Sequence, residues 1–172
     1  QHSKKTKYYL GPDYMILSPK FSGKSSNKKI KIIPEKVLVC MGGSDHQNLT
    51  FFVLKAIDKS KLDFCCDVIL SSAFFDRKHI EDQVKKLKHK INIFYDLKSL
   101  IDPLKQADLA ITSGGLSIFE FAAYGIPSVG LPQYEHQLRT IENLRDAGIS
   151  FLGSDGMTMS SEKFIGSLNK MM

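Results

Sequence analysis

The sequence predicts an α/β fold in which a doubly wound parallel sheet of about six strands carries helices on both faces. Short runs of consecutive apolar residues alternate with segments of helical periodicity along most of the 172 residues. Strands that are apolar at every position are typical of a parallel sheet, because helices cover both of its faces. Several runs end in small residues that lead directly into a helical pattern, as parallel βα units do. The length suffices for one domain with a sizeable core.

The predicted strands and helices alternate along the chain. The strands lie at 36–41, 64–70, 91–95, 108–112, 127–131 and 149–153. The helices lie at about 47–58, 76–88, 97–107, 116–124, 136–146 and 160–170. Pro103 falls near the first turn of the third helix, where its missing N–H costs little. The alternation is Rossmann-like, and it leaves the order of the strands in the sheet open.

The net charge of +6 is concentrated at the N-terminus. Residues 1–36 contain nine lysines against Asp13 and Glu35, whereas basic and acidic residues nearly balance in the rest of the chain. The Lys24–Lys36 run contains no aromatic residue, which favours a linker or an arm near a membrane surface over a nucleic-acid face. We therefore expect residues 1–29 to be a basic interdomain linker, residues 30–172 to be the folded domain, and nucleic acid not to be a partner.

The three cysteines, Cys40, Cys65 and Cys66, have neither metal-site nor disulfide-framework spacing. We expect them to be reduced, buried thiols in a cytoplasmic protein. No apolar run approaches the roughly 18 residues that a membrane-spanning helix needs, so no transmembrane segment is expected. No pair of histidines has convincing metal-ligand spacing, and no metal is predicted.

Two loops of small residues are candidate anion sites. Open α/β sheets bind ligands at the carboxyl ends of their strands. The sequence places Gly42-Gly43-Ser44-Asp45 after the first strand and Ser113-Gly114-Gly115 after the fourth. Glycine lets the backbone approach a ligand closely, and the N–H groups that begin a helix favour an anion. Phosphate is the predicted group, with simple tight turns as the alternative.

Glu120 is the only charged residue between Ile111 and Pro132, and it falls in the second turn of the helix after Gly115. It lies roughly 7–8 Å along the helix axis from the glycines, about the distance from a diphosphate to the ribose of one nucleotide. A carboxylate can accept hydrogen bonds from two ribose hydroxyls, and in apolar surroundings it needs such partners. The G-x-G-x-x-G and G-x-x-x-x-G-K-[ST] signatures are absent, which disfavours NAD enzymes and P-loop NTPases.

The chain resembles the C-terminal domain of GT-B nucleotide-sugar enzymes, such as the peptidoglycan N-acetylglucosaminyltransferase. The resemblance rests on the glycine loop, the glutamate in the helix after it, and the stretches "AAYGIPSVGLP" and "NLRDAG". "LGPDYMILSPKF" and "GGSDHQNLT" resemble a narrower group, the UDP-sugar hydrolase of pseudaminic acid biosynthesis and its spore-coat polysaccharide relatives. The resemblance runs from about Leu10 to the end of the chain. It implies that UDP or a UDP-sugar is the ligand and that no cofactor is needed.

The resemblance also assigns site residues. The nucleotide would contact Phe94 and Tyr95 through the base, Glu120 through the ribose, and the loop of Ser113, Gly114, Gly115 and Leu116 through the diphosphate. The phosphate or the sugar would contact Gly42, Gly43, Ser44, Asp45, Gln133, His136 and Gln137.

The general base of the family belongs to an N-terminal domain, which we expect to be a missing partner of this chain. No catalytic residue is therefore predicted here. The leading hypothesis is the nucleotide-binding half of a UDP-sugar hydrolase. The alternatives are the donor-binding half of a GT-B glycosyltransferase and a nucleotide-sugar binding module without chemistry.

The histidines other than His136 are expected at the surface. His2, His79 and His89 lie in polar segments, and His46 falls at a helix start. A hydrolytic triad of Ser113, His136 and Asp108 is disfavoured, since no G-x-S-x-G elbow is present.

Overall fold

Six parallel strands form one sheet, which confirms the predicted Rossmann-like fold. The computed structural model describes residues 5–9, 11–23, 29–60 and 63–170. The strands are β1 Lys36–Cys40, β2 Cys65–Leu70, β3 Ile91–Tyr95, β4 Leu109–Thr112, β5 Ser128–Gly130 and β6 Ser150–Leu152. The α-helices are α1 Leu49–Lys59, α2 Arg77–Val84, α3 Ile101–Gln106, α4 Leu116–Tyr124, α5 Glu135–Asp146 and α6 Ser161–Lys170.

Two predicted helices are longer than the observed ones. Helix α2 begins after Asp76, whose carboxylate accepts a hydrogen bond from the His79 N–H, and it ends at Val84. Beyond it the chain turns back, and the Lys88 N–H donates to the Asp58 carboxylate at 2.6 Å. Helix α3 begins at Ile101, so residues 97–100 form a loop at the carboxyl end of β3.

The strand order is β3-β2-β1-β4-β5-β6. The pairings between these six strands are all parallel, and the register places Val39 opposite both Val68 and Ile111. The chain therefore leaves β1 in one direction and returns through β4 on its other side. The carboxyl ends of β1 and β4 flank the reversal point, where open α/β sheets have their ligand crevice.

The two faces of the sheet bury separate cores. Alternate residues of β1 point to opposite faces, so Val37 and Val39 join one core and Leu38 and Cys40 the other. The first core packs against α1, α2 and α6, and the second against α3 and α4. Helix α5 lies beside α4 on the second face, where a small cluster forms from Ile118, Ile141 and Leu144. The crevice is thus held on a sheet supported from both sides.

The segment before β1 is attached to this body. It contains two short 3-10 turns, Pro12–Tyr14 and Pro19–Phe21. The Phe21 side chain is 6% exposed and belongs to the core beneath α3 and α4. The predicted linker therefore contributes one anchor to the domain, while its residues 1–4, 10 and 24–28, which include His2, lie outside the described residues.

Among the described residues, none of the helices is both long enough and apolar enough to cross a membrane. The three cysteines are free; Cys40 and Cys66 are buried as expected, and Cys65 is half-buried.

Candidate functional site

The N-terminus of α4 opens into the crevice beside β4. The helix begins at Leu116 with Gly115 as its N-cap, and no side chain caps it. Its first turn also lacks an acidic residue. The first N–H groups of a helix have no partner within the helix, and they carry its positive dipole end. This end is therefore available to an anion.

Glycine is present at positions 114 and 115 for two different physical reasons. A Cβ on Gly114 would lie 2.5 Å from the Gln137 backbone oxygen, closer than any real contact allows. A Cβ on Gly115 would have the Ser113 Oγ as its nearest neighbour, at 3.7 Å. Gly114 is thus required by the packing of the loop against α5, whereas Gly115 leaves room above the helix end.

Gln133 and Gln137 lie beside the same helix end and are both buried. The Gln133 Nε2 donates to the Met41 carbonyl at 2.7 Å, and its backbone N–H donates to the Gln137 Oε1 at 2.9 Å. These bonds join the loops after β1 and β5. The Gln137 Nε2 lies 4.0 Å from the position that a Cβ on residue 115 would take, so an amide donor stands next to the open N–H groups.

The loop after β1 lies against the loop after β4. Gly42 has a φ of 84°, which favours glycine, and a Cβ there would lie 3.5 Å from the Ser113 Oγ. Gly43 is exposed, and its carbonyl accepts a hydrogen bond from the Ser71 hydroxyl. The predicted loops after β1 and β4 are therefore in contact at the reversal point.

Asp45, which the resemblance places in contact with the phosphate or the sugar, holds the start of α1. Its side chain is buried, and its two oxygens accept hydrogen bonds from the Leu49 and Thr50 N–H groups, each at 2.8 Å. Burial raises the pKa of the carboxyl group, and the bonds from Thr50 and Leu49 oppose that shift. The N-terminus of α1 thus already holds a carboxylate of its own chain, and of the two predicted anion sites only α4 has a free end.

Glu120 lies on α4 one turn beyond its start and is half-buried. Burial raises the pKa of its carboxyl group. Among the described residues it has neither a hydrogen-bond nor an ion-pair partner. A partly desolvated carboxylate without a partner is unfavourable until a donor arrives.

The carboxyl end of β3 borders a groove of about 350 Å³ on the α3 face of the sheet. The groove is lined by Phe94, which is 37% exposed, by the loop residues Leu97, Lys98 and Ser99, and by Asp67 of β2 and Asp102, Pro103 and Gln106 of α3. Tyr95 points to the opposite face, where its hydroxyl donates to Glu81. The predicted base-binding position at Phe94 and Tyr95 therefore has a recess beside it.

Two curated proteins are similar to this chain in sequence. The spore coat polysaccharide biosynthesis protein SpsG of Bacillus subtilis is 31% identical over 169 residues, 97% of this chain and 50% of SpsG. This chain is homologous to SpsG. An uncharacterized protein of Methanocaldococcus jannaschii is 34% identical over 142 residues, 77% of this chain and 28% of that protein. The chain thus spans half or less of the length of these relatives. No family model matches it.

Solved structures show the same fold. MurG of Acinetobacter baumannii superposes with a TM-score of 0.66 and 18% identity, over 88% of this chain and 46% of that one. The glycotransferase of kitacinnamycin gives a TM-score of 0.61 and 19% identity, over 87% of this chain and 38% of that one. The six-stranded α/β fold of this chain thus matches less than half of each of these chains, which have the GT-B glycosyltransferase fold.

The histidines differ from the prediction at one position. His46, His79 and His136 are exposed, and the His136 ring is stacked on Tyr134 with 5.6 Å between centroids. His89 was expected at the surface, but its side chain is only 8% exposed and packs against Phe64. The polar residues around His89 in the sequence led to the surface prediction. The side chain is buried because the turn after α2 folds back onto the start of β2.

Asp108 cannot join Ser113 and His136 in a triad. It precedes β4, and its carboxylate accepts hydrogen bonds from the Glu35 and Lys36 N–H groups at 3.1 and 3.0 Å, at the amino ends of the strands. Ser113 follows the opposite end of β4. Within the described part of the chain, no cluster of three His, Cys, Asp or Glu residues could hold a metal ion.

Arg77 is absent from the predicted site residues, although it contacts the loops after β2 and β3. A basic residue at the start of a polar helix is typical of a solvated surface, and only the tertiary contacts distinguish it.

Proposed function

We propose that this chain is the nucleotide-binding part of a cytoplasmic UDP-sugar hydrolase, which releases UDP with inversion from a modified amino sugar in surface polysaccharide or nonulosonic acid biosynthesis. The observation that carries the proposal is the N-terminus of α4, which no side chain caps, together with Glu120 on the same helix, which has no partner among the described residues. A nucleoside diphosphate can bind both features at once, because its diphosphate group can accept from the N–H groups of α4 while the two ribose hydroxyls of the same molecule donate to Glu120.

The ligand would lie across the carboxyl ends of β3, β2, β1 and β4, which are neighbours in the sheet. Its diphosphate accepts hydrogen bonds from the N–H groups at Gly115 and Leu116, which the helix dipole strengthens. Its ribose hydroxyls donate to Glu120, about 6 Å further along the axis at 1.5 Å per residue. The base occupies the recess beside Phe94, and the sugar extends toward Gly43 and the Gln133–Gln137 loop.

The reaction is a displacement at the anomeric carbon. The oxygen of a water molecule forms a bond to this carbon while the bond to the β-phosphate oxygen breaks, and UDP leaves with the electron pair. The helix N-terminus and the Gln137 amide stabilise the negative charge that develops on the leaving diphosphate. The attacking water gives its proton to a general base, which in our proposal belongs to a second domain of the whole protein, as in the enzymes that the sequence resembles.

The homology to SpsG supports the polysaccharide context, and the resemblance of "GGSDHQNLT" to the hydrolase group supports water as the acceptor. Product analysis of the complete gene product with a panel of UDP-sugars tests the proposal. We expect free sugar and UDP in equal amounts. Transfer of the sugar to an added acceptor, with no free sugar, would make the protein a glycosyltransferase. Tight UDP-sugar binding without any product would make it a binding module.

A further inference from the structure

Arg77, the first residue of α2, connects the ends of neighbouring strands. Its Nη2 donates to the Ser71 carbonyl at 3.1 Å and to the Asp96 carboxylate at 2.9 Å. Its guanidinium carbon lies 4.6 Å from the centre of the Tyr95 ring. One side chain therefore holds the loop after β2 and the loop after β3 together.

Ser71 extends this connection to the loop after β1. The Ser71 hydroxyl donates to the Gly43 carbonyl, and its oxygen accepts from the Ala73 N–H at 3.1 Å. Because the strands lie in the order β3-β2-β1, the loop that contains Ser71 lies between the loop after β3 and the loop after β1. A continuous path of contacts thus runs from Asp96 through Arg77 and Ser71 to Gly43.

The loop after β3 depends on these contacts for its shape. Asp96 has a φ of 51°, in the left-handed region, which aspartate adopts more often than most non-glycine residues but still at a cost in free energy. Its N–H donates to the Leu70 carbonyl at 2.9 Å, and its carboxylate is the partner of Arg77. The Tyr95 hydroxyl is fixed by Glu81, and burial together with that bond raises the pKa of Tyr95 to about 12.

We propose that Arg77 is a positioning residue, which sets the position of the sugar-side loop at Gly43 relative to the base-side loop at Tyr95 and Asp96. It acts through Ser71 and does not contact the ligand; its effect on ligand binding rests on the proposed function above. Arginine suits this role, since its planar guanidinium can lie flat on the Tyr95 ring while Nη2 donates to both acceptors, whereas a lysine ammonium is a compact point charge that cannot stack on the ring in this way.

Amide chemical shifts of the ligand-free protein test the connection directly. In Arg77→Ala we expect shift changes at Gly43 and Ser44 as well as at Asp96, and Arg77→Lys should resemble Arg77→Ala. Ser71→Ala should change Gly43 and leave Asp96 near its wild-type position. Arg145→Ala removes an exposed arginine that pairs with Asp146 on α5, and it serves as the matched charge control. Changes in Arg77→Ala that stop at Ser71, with Gly43 unaffected, would contradict the proposal.

Calorimetry with UDP and with uncharged uridine tests the consequence. We expect Arg77→Ala and Arg77→Lys to weaken both ligands about tenfold, and Ser71→Ala to add little in the Arg77→Ala background, because residues on one path are not additive. Unchanged uridine affinity combined with UDP binding restored by lysine would mean that Arg77 contacts the diphosphate directly, and would overturn the positioning role. A wild-type protein that binds neither ligand would contradict the proposed function instead, and the shift measurements would then decide the role of Arg77 by themselves.

Discussion

Gly114 lies directly against the backbone of Gln137, so close that a Cβ on residue 114 would be 2.5 Å from the Gln137 carbonyl oxygen. The start of α4 and the start of α5 are thereby packed together without any side chain between them. A Cβ on Gly115, the next residue, would make only ordinary contacts, with the Ser113 Oγ at 3.7 Å and the Gln137 Nε2 at 4.0 Å. Gly114 is therefore needed for packing, whereas Gly115 keeps the start of α4 accessible to a ligand.

We expect Gly115→Val to lose UDP binding while the protein stays folded, because the valine would cover the N–H groups that hold the diphosphate. Gly114→Ala should instead destabilise the fold by about 1–3 kcal/mol, the usual cost of forcing atoms into a packed region. Urea unfolding and calorimetry measure the two effects. Normal UDP affinity in Gly115→Val would place the diphosphate elsewhere, with Gly42-Gly43 as the next candidate.

Glu120→Ala should weaken UDP binding by roughly 1.5–3 kcal/mol, the range for hydrogen bonds to a charged group. Glu120→Gln should lose less, since its amide oxygen still accepts one hydrogen bond. Calorimetry on folded variants measures this. A folded Glu120→Ala protein with unchanged UDP affinity would exclude Glu120 from ribose recognition.

The same carboxyl group predicts a pH dependence of stability. Burial raises the pKa of Glu120 above its ordinary value of 4.5, so in the window between 4.5 and the raised value the folded state binds more protons than the unfolded state. The contribution of Glu120 to stability therefore falls as pH rises through this window. We expect Glu120→Gln to melt higher than the wild type at pH 7 and to lose that advantage below pH 4.5. Equal melting temperatures of the two proteins at both pH values would show that Glu120 is not desolvated in the folded protein.

Asp45→Ala should destabilise the protein by about 1–2 kcal/mol, because it leaves the first N–H groups of α1 without their acceptor. Asp45→Asn keeps one acceptor oxygen and should cost less. Since both Asp45 oxygens already accept from Leu49 and Thr50, UDP affinity should stay close to that of the wild type in either variant. Weaker UDP binding in Asp45→Asn at unchanged stability would return Asp45 to the ligand contacts.

The 172-residue chain by itself should bind UDP without hydrolysing UDP-sugar. Among its described residues, His136 is exposed and stacked on Tyr134, and no carboxylate orients it as a base. General-base assistance is worth about 10²–10⁴-fold in rate. UDP should raise the melting temperature while incubated UDP-sugar stays intact. UDP release above the protein-free rate, abolished by His136→Ala, would show that the chain carries its own base.

Several features of the molecule were determined by the sequence alone. The strands lie where the apolar runs are, because a strand buried on both faces needs apolar side chains at consecutive positions. The Gly114-Gly115 turn and Glu120 stand out for a similar reason. Small residues at a strand-to-helix junction and a lone charge in an apolar helix are local patterns, and local patterns can be read without knowing what packs against them.

Other features were decided only by tertiary structure. Four features depend on which segments meet in space. They are the strand order β3-β2-β1-β4-β5-β6, the capping of α1 by Asp45, the burial of the His89 side chain and the path of contacts from Arg77 to Gly43. Gly114 and Gly115 are the same residue type, yet the Gln137 backbone leaves no room for a Cβ at the first position, whereas a Cβ at the second would make only ordinary contacts. The sequence determines the chemical groups that each residue carries. The free energy of burying a residue and the identity of its partners depend on neighbours that are distant in sequence, because packing and hydrogen bonding act over a few ångströms in space.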